Sequence, residues 1–133
     1  MNTAGSFDDV RPLSKNDVLA IHEASIEKFG GATGLRDQRL LDSALAQPFQ
    51  SFGGVELYPG VVDKACRYCF GVIKDHPFID GNKRTGAALL GTYLRINGLR
   101  FSPEPLDFLH AMMGVADGSL TYEDLVAWVK SIV

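Results

Sequence analysis

The sequence is short of basic charge. Lys and Arg number 13 against 16 Asp and Glu, for a formal net charge of −3 and a pI near 5.5. Broad binding to nucleic acid or to an anionic membrane depends on a basic field, so neither fits as a general function, and any anion site must be local. Long hydrophobic runs are also missing. Nothing approaches the roughly 20 apolar residues that cross a bilayer, and the opening MNTAGSFDDVRP has neither the basic cluster nor the apolar core of a secretory signal. A cytoplasmic location is expected. There is no internal repeat and no low-complexity segment. Cysteine is confined to Cys66 and Cys69. Their CRYC spacing is that of a redox pair, but Val61, Val62 and Ala65 precede them at helical spacing, so they read as mid-helix thiols rather than as a helix-capping nucleophile. Without a second CxxC or a nearby His, a zinc site is not expected either.

What the chain does have is apolar residues at 46% and charged residues at 22% over 133 residues. That is ordinary globular usage, and enough chain for one domain burying roughly two thirds of its unfolded surface. Residues 1–12 are expected to be a flexible N-terminal segment, with a single folded domain over 13–133. A helix is predicted from Ser14 to Phe29, with Ser14 as N-cap, Asp17 in the acidic third position and Gly30 with Gly31 as the stop. A second is predicted from about Asp37 through Ala46, closed by Pro48. PFQSFGGVELYP has no helical period and reads as a small hairpin or flap. A third helix runs from Val61 to about Lys74. A fourth, from about Asn82 to Asn97, is nearly uncharged between Arg84 and Arg95 and is therefore expected to be buried on most sides. Two more, from about Pro105 to Val115 and from about Thr121 to Ile132, complete an all-α domain of about six helices around a buried central helix, with a small β flap.

The segment HPFIDGNKRTG, from His76 to Gly86, places Lys83 and Arg84 in the first turn of the fourth helix. A helix start already carries about half a positive charge, so a cation there costs a few tenths of a kcal/mol. Pro77 disfavours a helical His76 and ends the third helix; Gly81 permits a tight turn before the next. The N–H groups near Asn82, Lys83 and Arg84 would then line a nest for an anion, with two side-chain cations and an amide added to it. Charge-assisted contacts of about 1.5 to 3 kcal/mol each outweigh the dipole cost if a polyanion is bound. Phosphate is the obvious candidate. Asp80 would repel a bare phosphate, so it makes sense with Mg²⁺ bridging carboxylate and phosphate oxygens. Histidine has a reference pKa near 6.5, so the type of side chain at His76 is one that can accept a proton from a hydroxyl. Phe78 should be the inward apolar anchor. Each residue also has a plain structural use: His76 at a helix end, Asp80 and Asn82 as caps, Lys83 and Arg84 as solvated charge. Their concentration in nine residues between apolar helices points to joint function.

These residues resemble the Fic/Doc family, most closely its Doc branch, the "death on curing" toxins of bacterial toxin–antitoxin modules. The family motif runs HPF, an acidic residue, Gly or Ala, Asn and Arg, which here are His76, Pro77, Phe78, Asp80, Gly81, Asn82 and Arg84. The likeness extends to the IHE-type first helix, the GLRD stretch at Gly34 to Asp37, the LLDSAL helix and the PFQSFGG flap. It implies His76 as the catalytic base, Asp80 as the Mg²⁺ contact, and Gly81, Asn82, Lys83 and Arg84 as the cradle for ATP. It implies also that the flap from Pro48 to Tyr58 presents a target backbone by strand addition.

Two departures from the Fic branch matter. AMP-transferring relatives have Gly where this chain has Lys83, and a second Arg for the terminal phosphates where it has Ala87. Their absence matches the Doc pattern, which implies a kinase-like reaction: ATP lies in the opposite sense and its γ-phosphate passes to a Thr of elongation factor Tu, stopping translation. Transfer of AMP to a protein hydroxyl, or a catalytically silent binding module of the same fold, are the alternatives. None of the five glutamates is followed by Gly or Asn, so the self-inhibitory motif of some relatives is missing. Inhibition is expected in trans, from a cognate antitoxin laying a helix in an apolar groove. His22 is expected to be packed or capping, and His110 to lie at the core edge.

Overall fold

The computed structural model describes residues 11–133, and the flexibility expected of the N-terminal segment lies, for residues 1–10, outside the described residues. Arg11 itself is fixed. Its N–H donates to Asn97 Oδ1 at 2.7 Å, and its carbonyl accepts from Asn97 Nδ2 at 3.2 Å.

Among the described residues six helices form in the expected order: α1 (Lys15–Phe29), α2 (Gln38–Ala46), α3 (Val61–Asp75), α4 (Asn82–Ile96), α5 (Pro105–Asp117) and α6 (Tyr122–Ile132). Local chemistry fixes the starts of three of them. Ser14 with Asp17 and Thr121 with Asp124 form reciprocal capping boxes at α1 and α6, and Asp37 accepts the first N–H groups of α2. Pro48 follows the end of α2 at Ala46, as expected. It enters a short 3₁₀ turn, Gln47–Phe49, because proline needs no N–H in the first turn of a new helical segment. The flap follows as β1 (Ser51–Phe52) and β2 (Val55–Glu56), antiparallel, with Ser51 opposite Glu56 and Phe52 opposite Val55. Gly53 and Gly54 both take positive φ, as a two-residue hairpin turn requires.

The buried central helix is α4, as expected, and it packs antiparallel along α3. Leu89, Leu90, Tyr93 and Leu94 of α4 pack with Ala65, Cys66, Tyr68, Cys69, Val72 and Ile73 of α3, all of them buried. The two helices come close at Gly86, where an added Cβ would lie 2.7 Å from Ile73 Cγ1. The core thiols belong to this pair. Burial pushes both thiol pKa values up, and Cys69 Sγ sits 3.6 Å from Met112 Sδ, so the cysteines are packing groups. Val18 and Leu41 attach α1 and α2, while Val115, Leu125 and Val129 attach α5 and α6.

Two polar side chains depart from expectation or custom. His110 is exposed on α5 instead of lying at the core edge; the faces of α5 that meet the core carry Ala111, Met112 and Val115. Lys64 is buried in α3, where its ammonium donates to Glu56 Oε1 and to the Tyr58 carbonyl, each at 2.6 Å. Among the described residues, no helix is long and apolar enough to cross a membrane.

Candidate active site

The connection between α3 and α4 is short, and its backbone polar groups find their partners in the loop between α1 and α2. His76 caps α3 in the left-handed region at φ 51°, and is the one non-glycine residue with positive φ among the described residues. The N–H groups of Arg36 and Asp37 donate to the Pro77 carbonyl at 2.7 and 3.0 Å, and Ile79 N–H donates to the Gly34 carbonyl at 3.1 Å. The Arg36 guanidinium reaches further back, donating through Nε to the His76 carbonyl at 2.6 Å and through Nη2 to the Asp75 carbonyl at 2.8 Å.

Inside the loop, Phe78 is buried, as expected of the anchor. Its ring stacks on His22 with centroids 3.8 Å apart and planes 6° from parallel. His22 Nε2 lies 2.8 Å from the Asp80 carbonyl; an acceptor there fixes the proton on Nε2. His22 is thus packed, and it ties α1 to the motif loop rather than capping a helix. Asn82 does not offer its side-chain amide to the cavity, contrary to the cradle role expected of it. The amide turns into the loop, where Oδ1 accepts from Phe78 N–H and Nδ2 donates to the Phe78 carbonyl, both at 3.0 Å. Only its backbone N–H is left for an anion. Because Oδ1 is fixed by that N–H, the group 3.3 Å from His76 Nδ1 is a donor, which leaves Nδ1 unprotonated in the neutral imidazole.

Gly81 takes φ 75° at the N-cap of α4, and no side chain caps that helix start. Asp80 is exposed beside it. Its carboxylate accepts N–H groups from Ala32 at 3.2 Å and Gly81 at 2.8 Å, and these two bonds, the Ala32 one foremost, hold its pKa below the ordinary 3.8. Asp80 is therefore ionised at neutral pH. Arg84 has a structural tie besides its place in the motif: Nη2 donates to the Gly30 carbonyl at 3.1 Å and the guanidinium stacks 5.2 Å above Phe29. The end of α4 that is unfavourable for a cation faces the C-terminal end of α1, which is favourable for one. Lys83 is exposed.

All six expected site residues, His76 and Asp80 through Arg84, line one cavity of about 750 Å³. A second, of about 290 Å³, shares Lys83 and Arg84 with it and is otherwise apolar, lined by Ala87, Pro105, Phe108, Leu109 and Met112. Among the described residues no three His, Cys, Asp or Glu side chains cluster to hold a metal on their own. A lone ionised carboxylate at the edge of a cationic cavity fits Mg²⁺ bound jointly with phosphate oxygens, the usual donor set for that ion. The sequence suggests for His22 only packing or capping and does not single out Arg36, because each acts on backbone 39 to 58 residues away along the chain. Their one local signal was position: His22 beside an apolar stripe, and Arg36 inside GLRD.

A left-handed His at a helix end, a carboxylate, and an uncapped helix start with two cations meet on an α-helical core, and the chain belongs to the Fic/DOC family, whose model matches residues 12–94. Among its relatives is the protein named Toxin Doc of Mycolicibacterium smegmatis, 39% identical over 92 residues, covering 69% of this chain and 68% of that one. Another is Protein kinase doc of Escherichia phage P1, 27% identical over 125 residues, covering 92% of this chain and 96% of that one.

Proposed function

We propose that the protein is a Doc-type toxin that transfers the γ-phosphate of ATP to a protein hydroxyl, a threonine of elongation factor Tu, in the cytoplasm, and that a cognate antitoxin neutralises it. The observation that carries this reading is the pair of adjoining cavities. The apolar one suits a nucleotide base, the shared Lys83 and Arg84 suit the phosphate chain, and the polar one keeps His76 and Asp80 for the far end. A nucleotide bound in that sense brings its terminal phosphate, not its α-phosphate, toward His76. Ala87 is part of the argument. An arginine there would put a cation in the apolar cavity, and its absence leaves room for the base. Kinship with a relative named as a toxin and another named as a protein kinase supports the same reading.

On this reading the chain's own groups have distinct duties. Lys83, the Arg84 guanidinium and the N–H groups at the start of α4 hold phosphate oxygens. Asp80 holds Mg²⁺, which supplies neutralisation of the charge that develops on the transferred group. His76 takes the proton of the acceptor hydroxyl. Its unprotonated Nδ1 lies against Asn82, so either the hydroxyl displaces that amide or the ring turns over to present its basic nitrogen. The flap offers the target a free strand edge, with Phe52 and Val55 strongly exposed beside it. On α5, Leu106, Leu109 and Met113 are exposed at i, i+3, i+7 spacing. This stripe borders the apolar cavity, and an antitoxin helix seated on it would block the base as well as bury its own apolar face.

The test is to incubate the protein with elongation factor Tu, Mg²⁺ and ATP labelled at either the α or the γ position. Label from the γ position is expected on the target, lost in His76→Ala with the melting temperature kept. Label from the α position alone would mean AMP transfer and sink the kinase reading.

A further inference from the structure

We infer that Arg36 is the positioning residue of the site, holding His76 in the backbone conformation that its proton transfer needs. The inference rests on the reading of His76 as the base. His76 occupies the left-handed position that ends α3, where a β-carbon is disfavoured and glycine is the usual occupant. The carbonyls at a helix end have no partners within the helix. Here two of them, from Asp75 and His76, accept from the two arms of one guanidinium, at 2.8 and 2.6 Å. The backbone N–H groups of Arg36 and Asp37 take the next carbonyl, that of Pro77. Three consecutive peptide oxygens around the imidazole are thereby fixed by one two-residue stretch.

The Arg36 side chain has no competing use. It is exposed, contributes nothing to the core, and pairs with no carboxylate among the described residues. Lysine cannot do the same work, because a single ammonium lacks the planar fork that spans two carbonyls at fixed separation. Loss of the fork leaves His76 free to relax toward a commoner backbone region, which swings the imidazole away from the acceptor.

The experiment compares wild type with Arg36→Ala and Arg36→Lys in γ-phosphate transfer, together with ¹H–¹³C spectra of the His76 ring. A displacement of the base by about an ångström lowers rates by up to about 100-fold, so kcat is expected to fall about 10- to 100-fold in both variants, with KM for ATP little changed. Added guanidinium ion should restore part of the Arg36→Ala rate, and the ring signals should shift or broaden in both variants. A fall in melting temperature with unchanged kcat and unchanged ring signals would make Arg36 a helix cap only, and overturns the inference. Should wild type transfer no γ-label, the kinase reading fails on its own, and the ring signals still decide whether Arg36 positions His76.

Discussion

The segments that enter and leave α3 are held in opposite ways. The flap before it is fastened at its base, where buried Lys64 joins Glu56 to the Tyr58 carbonyl, while its tip leaves Phe52 81% and Val55 67% exposed. The motif loop after it is fastened along its length: the carbonyls of Asp75, His76, Pro77, Phe78 and Asp80 all accept from side chains or backbone of other segments or of Asn82. Proton transfer tolerates little movement, and recognition of an extended partner needs unpaired backbone and bare apolar surface. One helix carries both, so the rigid base of the flap and the rigid loop share a frame.

The comparison can be broken most severely at Phe78. Phe78→Ala removes a fully buried ring and its stack on His22, and is expected to destabilise the fold by about 3 to 5 kcal/mol. A urea melt indistinguishable from wild type would mean that the loop is not anchored from within. Next in size is Lys64→Met, which keeps the volume and drops the two charge-assisted bonds to the flap. A loss of about 1 to 3 kcal/mol is expected in the same melts, with KM for the protein substrate raised and KM for ATP unchanged. Equal changes in both would mean that the flap and the loop are not separate devices.

The smallest effect sharpens the loop side. Asp80 has a native pKa below its ordinary value of 3.8 because Ala32 and Gly81 donate to it. Its contribution to stability is therefore fully present above that ordinary value and is lost as pH falls through the lower native one. Asp80→Asn should be slightly less stable than wild type at neutral pH, and the gap should close at acid pH. A gap that persisted below the native pKa would mean that the carboxylate's charge is not what ties the loops together.

Much of this was legible from sequence because its causes are local. Ser14 with Asp17 and Pro77 after His76 each act within a few residues, as do the turn residues of PFQSFGGVELYP, and each element they mark is present. The motif residues were legible because their chemistry is concentrated in one turn. What escaped depends on distant partners. Asn82 reads as a cradle amide until Phe78 is seen folded back on it, and Arg84 reads as misplaced charge until the end of α1 lies beside it. His110 failed for a different reason: its apolar neighbours Leu109 and Met113 are themselves exposed, so hydrophobic company did not mean burial.

The two buried thiols of α3 have a practical consequence. With Cys66 and Cys69 fully buried and their pKa values raised by burial, an alkylating reagent can reach them only when the core around α3 opens. Labelling kinetics of the unmodified chain therefore count core openings directly. A bound partner that clamps the fold would register as a slower count without any probe being introduced.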